Sequence, residues 1–184
     1  MIDIYLDLKE HIQAKELFEK WQRQLSNSLK HRLDCDLYEA CGKFEESLTE
    51  IRRYEDETGV SNVAHVIYLN LKLERYREAD VLARSVLELI HYSQEAGQEI
   101  VNLEFARKKL GKRVNNDRLM SVMKFDSNPK TSAAVFALIE KKSDMLENIR
   151  KAMKADKSFR FSAVEWPVFE AYRGDEDFSN AISV

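Results

Sequence analysis

The segment Leu37-Tyr38-Glu39-Ala40-Cys41-Gly42-Lys43-Phe44-Glu45-Glu46-Ser47-Leu48 lies over Leu69-Asn70-Leu71-Lys72-Leu73-Glu74-Arg75-Tyr76-Arg77-Glu78-Ala79-Asp80, with Phe44 and Tyr76 in register 32 positions apart. Each copy holds the end of one apolar stripe at helical spacing, a turn, and the start of another. A pair of helices recurring at such a period cannot bury its apolar face alone, so it stacks on its neighbours and makes a solenoid instead of a closed bundle. The rest of the chain agrees: every periodic stretch fits 3.6 residues and none fits 2. Only 5 Gly and 2 Pro are present, well under the average usage of roughly 7 and 5 per cent, which leaves too few turn residues for a strand-rich fold. The expected class is all-α.

The stripes place the helices. Ile12, Leu17, Phe18, Trp21, Leu25 and Leu29 predict one long first helix over residues 9–30. Leu33, Leu37, Tyr38 and Cys41 continue to Gly42, a typical residue just past a helix end, and Phe44, Leu48, Ile51 and Tyr54 then run on to Gly59. After Ser61 come Val63, Val66, Ile67, Leu69 and Leu73, followed by Tyr76, Ala79, Leu82, Val86, Leu87 and Ile90. A less regular pair covers 94–110, closed by Gly111, and 114–125. Asp126-Ser127-Asn128-Pro129 marks a stop and a capped start, and 133–139 with 145–153 give a last hairpin. Phe159, Phe161, Trp166, Phe169, Tyr172 and Phe178 form a tail too apolar to leave in water, so it is expected to pack back on the helices. A single domain is expected over 1–184, with an N-terminal helix over 1–30, hairpin repeats over 31–158 (degenerate over 94–125) and a cap over 159–184.

These residues resemble the tetratricopeptide repeat. The second helix of that family's unit opens with an aromatic, two polar residues and a small residue, and its first helix carries an aromatic six positions earlier. Tyr38, Gly42, Phe44 and Ser47 match in the first unit, and Tyr76, Ala79 and Val86 in the second, where Asn70 and Ile67 depart from the pattern. Ala133, Phe136, Ala152 and Asp156-Lys157-Ser158 look like a further unit, without the proline usual in the last triplet. Trp166-Pro167-Val168-Phe169-Glu170-Ala171-Tyr172-Arg173-Gly174-Asp175-Glu176-Asp177-Phe178 resembles the terminal segment of many bacterial repeat proteins. The resemblance implies antiparallel helical hairpins stacked as a short, right-handed solenoid with a C-terminal aromatic cap. Physically, an end repeat has no neighbour and needs such a cover.

Charge excludes several partners. With 29 Lys+Arg against 32 Asp+Glu the formal net charge is -3, which offers no general attraction to nucleic acid or to an anionic membrane. Lys108-Lys109 with Lys112-Arg113 is one basic cluster, at a helix end where cations favour the dipole, and it reads as a solvated terminus. No run approaches 18 apolar residues and the first residues are acidic, so neither an export signal nor an anchor is expected. Cys35 and Cys41 point about 240° apart on one helix, so they neither pair nor share a metal, and they read as reduced thiols of a cytoplasmic protein.

No catalytic constellation can be assembled. His11, His31, His65 and His91 form no His-x-x-x-His pair, so no helical zinc site is expected. Phosphate-cradling glycine motifs and the Gly-x-Ser-x-Gly elbow are missing, and acid pairs such as Glu45-Glu46 sit where they stabilise helix starts. The reading is of a protein that is not an enzyme, with no cofactor and no small-molecule substrate.

The resemblance supplies a binding face, the concave surface lined by the first helix of each hairpin. Its inward positions fall on Arg32, Asp36 and Glu39 in the first unit and on Ala64, His65, Tyr68 and Lys72 in the second. The family's clamp for a partner's terminal carboxylate needs Asn where Asp36 and Tyr68 stand, so that clamp is not expected. Two binding functions of different classes remain: an adaptor or scaffold holding a segment of another protein in its groove, or a dedicated immunity protein or chaperone that neutralises one toxin or secreted effector through buried aromatic and Arg anchors.

Overall fold

Ser26 cuts in two the stripe that runs from Ile12 to Leu29. In the computed structural model of the chain, which describes residues 11–89 and 96–183, α1 spans His11–Trp21, a 3-10 turn covers Gln22–Gln24, and α2 spans Asn27–Ala40. Leu25 is extended, and the Ser26 hydroxyl accepts from the Leu29 amide at 3.3 Å. This N-cap satisfies one of the free donors at a helix start, so the single helix expected over 9–30 is corrected to α1 and α2. The residues expected to open that helix before His11, together with Ile90, His91 and the joint at Gln94, lie outside the described residues.

The chain divides into two compact units, Met1–Leu73 and Glu74–Val184. Among the described residues all regular structure is helical, and no helix is long and apolar enough to cross a membrane.

In the first unit α1 lays Ala14 and Phe18 on Leu33 and Leu37 of α2, with Leu25 packed beside them. α2 then turns into α3, Phe44–Thr58, as an antiparallel hairpin. The turn is the expected one: Gly42 takes φ 72°, its amide donates to the Glu39 carbonyl, and the Lys43 amide donates to the Tyr38 carbonyl at 2.8 Å. Together these bonds close the orphan carbonyls of α2. Gly59, at φ 68°, ends α3, and α4, Val63–Lys72, packs on α3 through a face in which Val66, Ile67 and Leu69 are buried.

The second unit has two central helices, α6 (Ala96–Lys109) and α8 (Pro129–Leu138). Glu99–Ala106 and Thr131–Leu138 are buried without a break, so along these stretches both helices are covered on every side. α5 (Tyr76–Leu89) and α7 (Asn116–Phe125) pack on α6, and α9 (Lys142–Ala155) forms a hairpin with α8. Asn115 caps α7, and Asn128, followed by Pro129, caps α8 as its sequence signals. The turn after α8 has the hydrogen bonding of the Gly42 turn, yet its left-handed residue is Glu140, at φ 62°.

The tail folds as α10 (Phe159–Glu165), a 3-10 stretch (Pro167–Tyr172) and α11 (Glu176–Ala181). Phe159, Phe169 and Phe178 are fully buried and Trp166 nearly so, in a chain of ring contacts with centroids 5.7–6.5 Å apart. The tail covers α8 and α9, as a cap should.

Candidate protein-binding face

Helical spacing sets out the face in the first unit. Arg32, Asp36 and Glu39 stand three and four apart on α2, and His65, Tyr68 and Lys72 do the same on α4, so each set shares one side of its helix. Residues between these positions are committed to packing, with Leu33, Cys35 and Leu37 buried on α2 and Ile67, Leu69 and Leu71 on α4.

The structure brings all six residues together. His65 is the centre: its Nε2 lies 2.6 Å from Glu39 Oε2, and its Nδ1 lies 3.5 Å from Arg32 Nη1. Arg32 also reaches Asp36, Nε to Oδ2 at 3.4 Å. On α4 the Tyr68 ring tilts against the His65 ring, with centroids 6.3 Å apart. Lys72 Nζ sits 5.9 Å from the Tyr68 ring centre and 4.8 Å from that of Phe44, the first residue of α3. Such cation–ring contacts hold a lysine stem along aromatic surface while its charge stays near water.

All six are half-buried, and the two cations and two carboxylates balance. The face therefore offers aromatic area and paired charges of both signs, not a field of one sign. Ala64, the remaining inward position, is exposed at the start of α4. Phe44 is an addition. In the sequence it is legible as the repeat's aromatic, but nothing there signals that it underlies Lys72.

Behind the face, polar contacts fix α2 on α3. His31 Nδ1 lies 2.5 Å from Glu50 Oε2, and Glu50 Oε1 accepts from Arg53 at 2.6 Å. Cys35 Sγ lies 3.2 Å from Ser47 Oγ. Burial pushes the Cys35 thiol up to about 11, so in the absence of a metal it stays protonated at neutral pH and packs as a small buried hydrophobe. Cys41 is exposed in the hairpin turn, and both cysteines are free thiols.

In the second unit the basic cluster is corrected: it is more than a solvated helix end. Lys108 pairs with Glu140 at 2.8 Å, Lys109 pairs with Glu170 of the cap, and Lys112 reaches the buried Asp80 of α5 at 3.0 Å. Each cation joins the end of α6 to a different neighbour. Beside it, the wholly buried Glu104 accepts from the Asn115 amide at 2.8 Å and pairs with Arg118 at 3.2 Å, which anchors the start of α7. A cavity of about 270 Å³ is lined by Arg84, Leu87, Ile100, Leu103, Arg107 and Arg118.

No protein-family model, no curated protein and no solved structure matches this chain.

Proposed function

We propose that the chain is a non-catalytic adaptor of the cytoplasm, a protein of the tetratricopeptide-like kind that holds a segment of another protein against α2 and α4 of its first unit. The observation that carries this reading is the convergence of Arg32, Asp36, Glu39, His65, Tyr68 and Lys72 on one half-buried face. Rigid aromatic surface flanked by charges already held in place by intramolecular partners loses little entropy on binding, and Tyr and Arg are the residues that most often anchor interfaces. The αL turn at Gly42 followed by Phe44 supports the repeat-like reading of the hairpin.

The experiment is affinity capture from the native cell with the full chain, read by mass spectrometry, run in parallel with Tyr68→Ala/Lys72→Glu. The proposal expects a stoichiometric partner that the double variant loses while its helical circular dichroism is unchanged. Equal capture by both proteins would place the interface elsewhere.

A further inference from the structure

Cys35, Asp36 and His65 offer one thiol sulfur, one carboxylate oxygen and one imidazole nitrogen, all within 4.8 Å of one another. The histidine spacings that spoke against zinc concern ligands on a single helix, whereas this set joins α2 to α4. The hydrogen bonds around His65 also fix its tautomer. A carboxylate only accepts, so the nitrogen facing Glu39, Nε2, carries the hydrogen; a guanidinium only donates, so Nδ1, facing Arg32, holds the lone pair. A carboxylate on the far nitrogen of a histidine is the arrangement that orients metal-binding imidazoles.

We propose that Cys35, Asp36 and His65 Nδ1 form a binding site for a zinc-class divalent cation, with Glu39 as the outer carboxylate and water in the remaining position. A thiolate, an imidazole and a carboxylate together suit a borderline metal, whereas magnesium and calcium take oxygen ligands alone. Bonds of about 2.0 to 2.3 Å in tetrahedral geometry place ligand atoms roughly 3.3 to 3.8 Å apart, so the three groups close by about 1 Å through side-chain rotation. As the sulfur–metal bond forms, the Cys35 S–H bond breaks and its proton leaves to solvent, with no change of oxidation state.

Arg32 now fills the cation's place between Asp36 and His65, and its side chain, 37% exposed, can turn to water once a metal displaces it from those partners. Guanidinium and metal therefore compete for one position. This inference stands independently of the partner proposal.

The test is a titration of the full, reduced, chelator-stripped chain with Co²⁺ and then Zn²⁺. One Co²⁺ per chain is expected, with the intense visible bands of a tetrahedral ion and a thiolate-to-cobalt charge-transfer band, all abolished by Zn²⁺. Cys35→Ala removes the charge-transfer band and Cys41→Ser retains it. Glu39→Gln weakens binding about 10- to 100-fold, and Arg32→Gln tightens it. Because Cys35 is buried, His65→Gln supplies a second check: with unchanged circular dichroism it must weaken Co²⁺ binding at least as much as Glu39→Gln. A weak octahedral spectrum without charge transfer overturns the proposal. So does binding untouched by His65→Gln, a band lost with Cys41 instead of Cys35, or an Arg32→Gln variant that binds no tighter.

Discussion

The indole Nε1 of Trp166 donates to Asn102 Oδ1 at 2.9 Å, joining the C-terminal cap to the central helix α6 across 64 positions of sequence, with both side chains buried. The hydrogen bond gives the cap a fixed seat. Aromatic burial alone would drive the tail onto α8 and α9, but a polar pair inside an apolar contact allows one register only, because any other leaves a buried donor unmet.

Trp166→Ala is expected to cost about 3 to 5 kcal/mol and Asn102→Ala about 1 to 3 kcal/mol. Because the two residues share one bond, the double variant should cost less than the sum, by about 0.5 to 3 kcal/mol. Urea unfolding of the four proteins measures this, and strict additivity would refute the coupling. Truncation before Phe159 exposes the apolar faces beneath the cap and should give an aggregating or molten product. A truncated chain with its full melting temperature would make the tail a recognition arm.

Gly97 lies in α6, where alanine is normally the better helix former by about 1 kcal/mol. A Cβ there would meet Asp126 Oδ2 at 2.5 Å and Val122 Cγ1 at 3.2 Å. Asp126 is buried, and its Oδ1 accepts from the Asn128 amide ahead of α8, so it cannot yield freely. Gly97→Ala should therefore destabilise the second unit by about 1 to 3 kcal/mol, with the sign opposite to that of helix propensity. An increase in the urea midpoint would show that α6 and α7 have room to part.

The helices, the Gly42 and Gly111 turns, the Asn128-Pro129 start and the cap were legible in the sequence, because each leaves a local signature: a stripe, a glycine, a capping side chain, a cluster of rings. The break at Ser26 was not, since Leu25 and Leu29 stay in phase with the stripe on either side. Nor was the left-handed turn at Glu140, where an ordinary residue does a glycine's work. The six face residues were placed through the family resemblance. Their mutual bonds, and the ties from Lys108, Lys109 and Lys112, depend on how distant helices align, which no local pattern encodes.

At pH 8 only one of the two cysteines should react quickly with an aromatic disulfide reagent. Cys41 is exposed, whereas burial holds the Cys35 thiol near 11 with Ser47 beside it. Cys41→Ser should abolish the fast phase and denaturant should restore a thiol. A fast thiol surviving in the folded Cys41→Ser protein would mean that α2 and α3 separate readily.

Asp156 gives a pH dependence. The hydrogen bond from Lys130, at 2.6 Å, and those from Ser158 hold its carboxyl at about 2, below the usual value of about 3.9. The folded form thus favours the ionised group, so its stabilisation is present above the unfolded pKa and is lost as pH falls from about 4 to about 2. The pair is partly exposed, which limits the effect to about 1 kcal/mol or less. Asp156→Asn should be less stable than the parent at pH 7, and the gap should close below pH 4. A gap that is constant with pH would remove the charge from the explanation.

The most direct measurement of the central claim replaces Tyr68 with a photoreactive aromatic amino acid and irradiates the full chain in the native cell. Val164, 40% exposed on α10, is replaced in the same way as the control position. The account predicts a discrete cross-linked protein from position 68, absent from position 164 and suppressed when Lys72→Glu is added. Cross-links from position 164 with none from position 68 would contradict it.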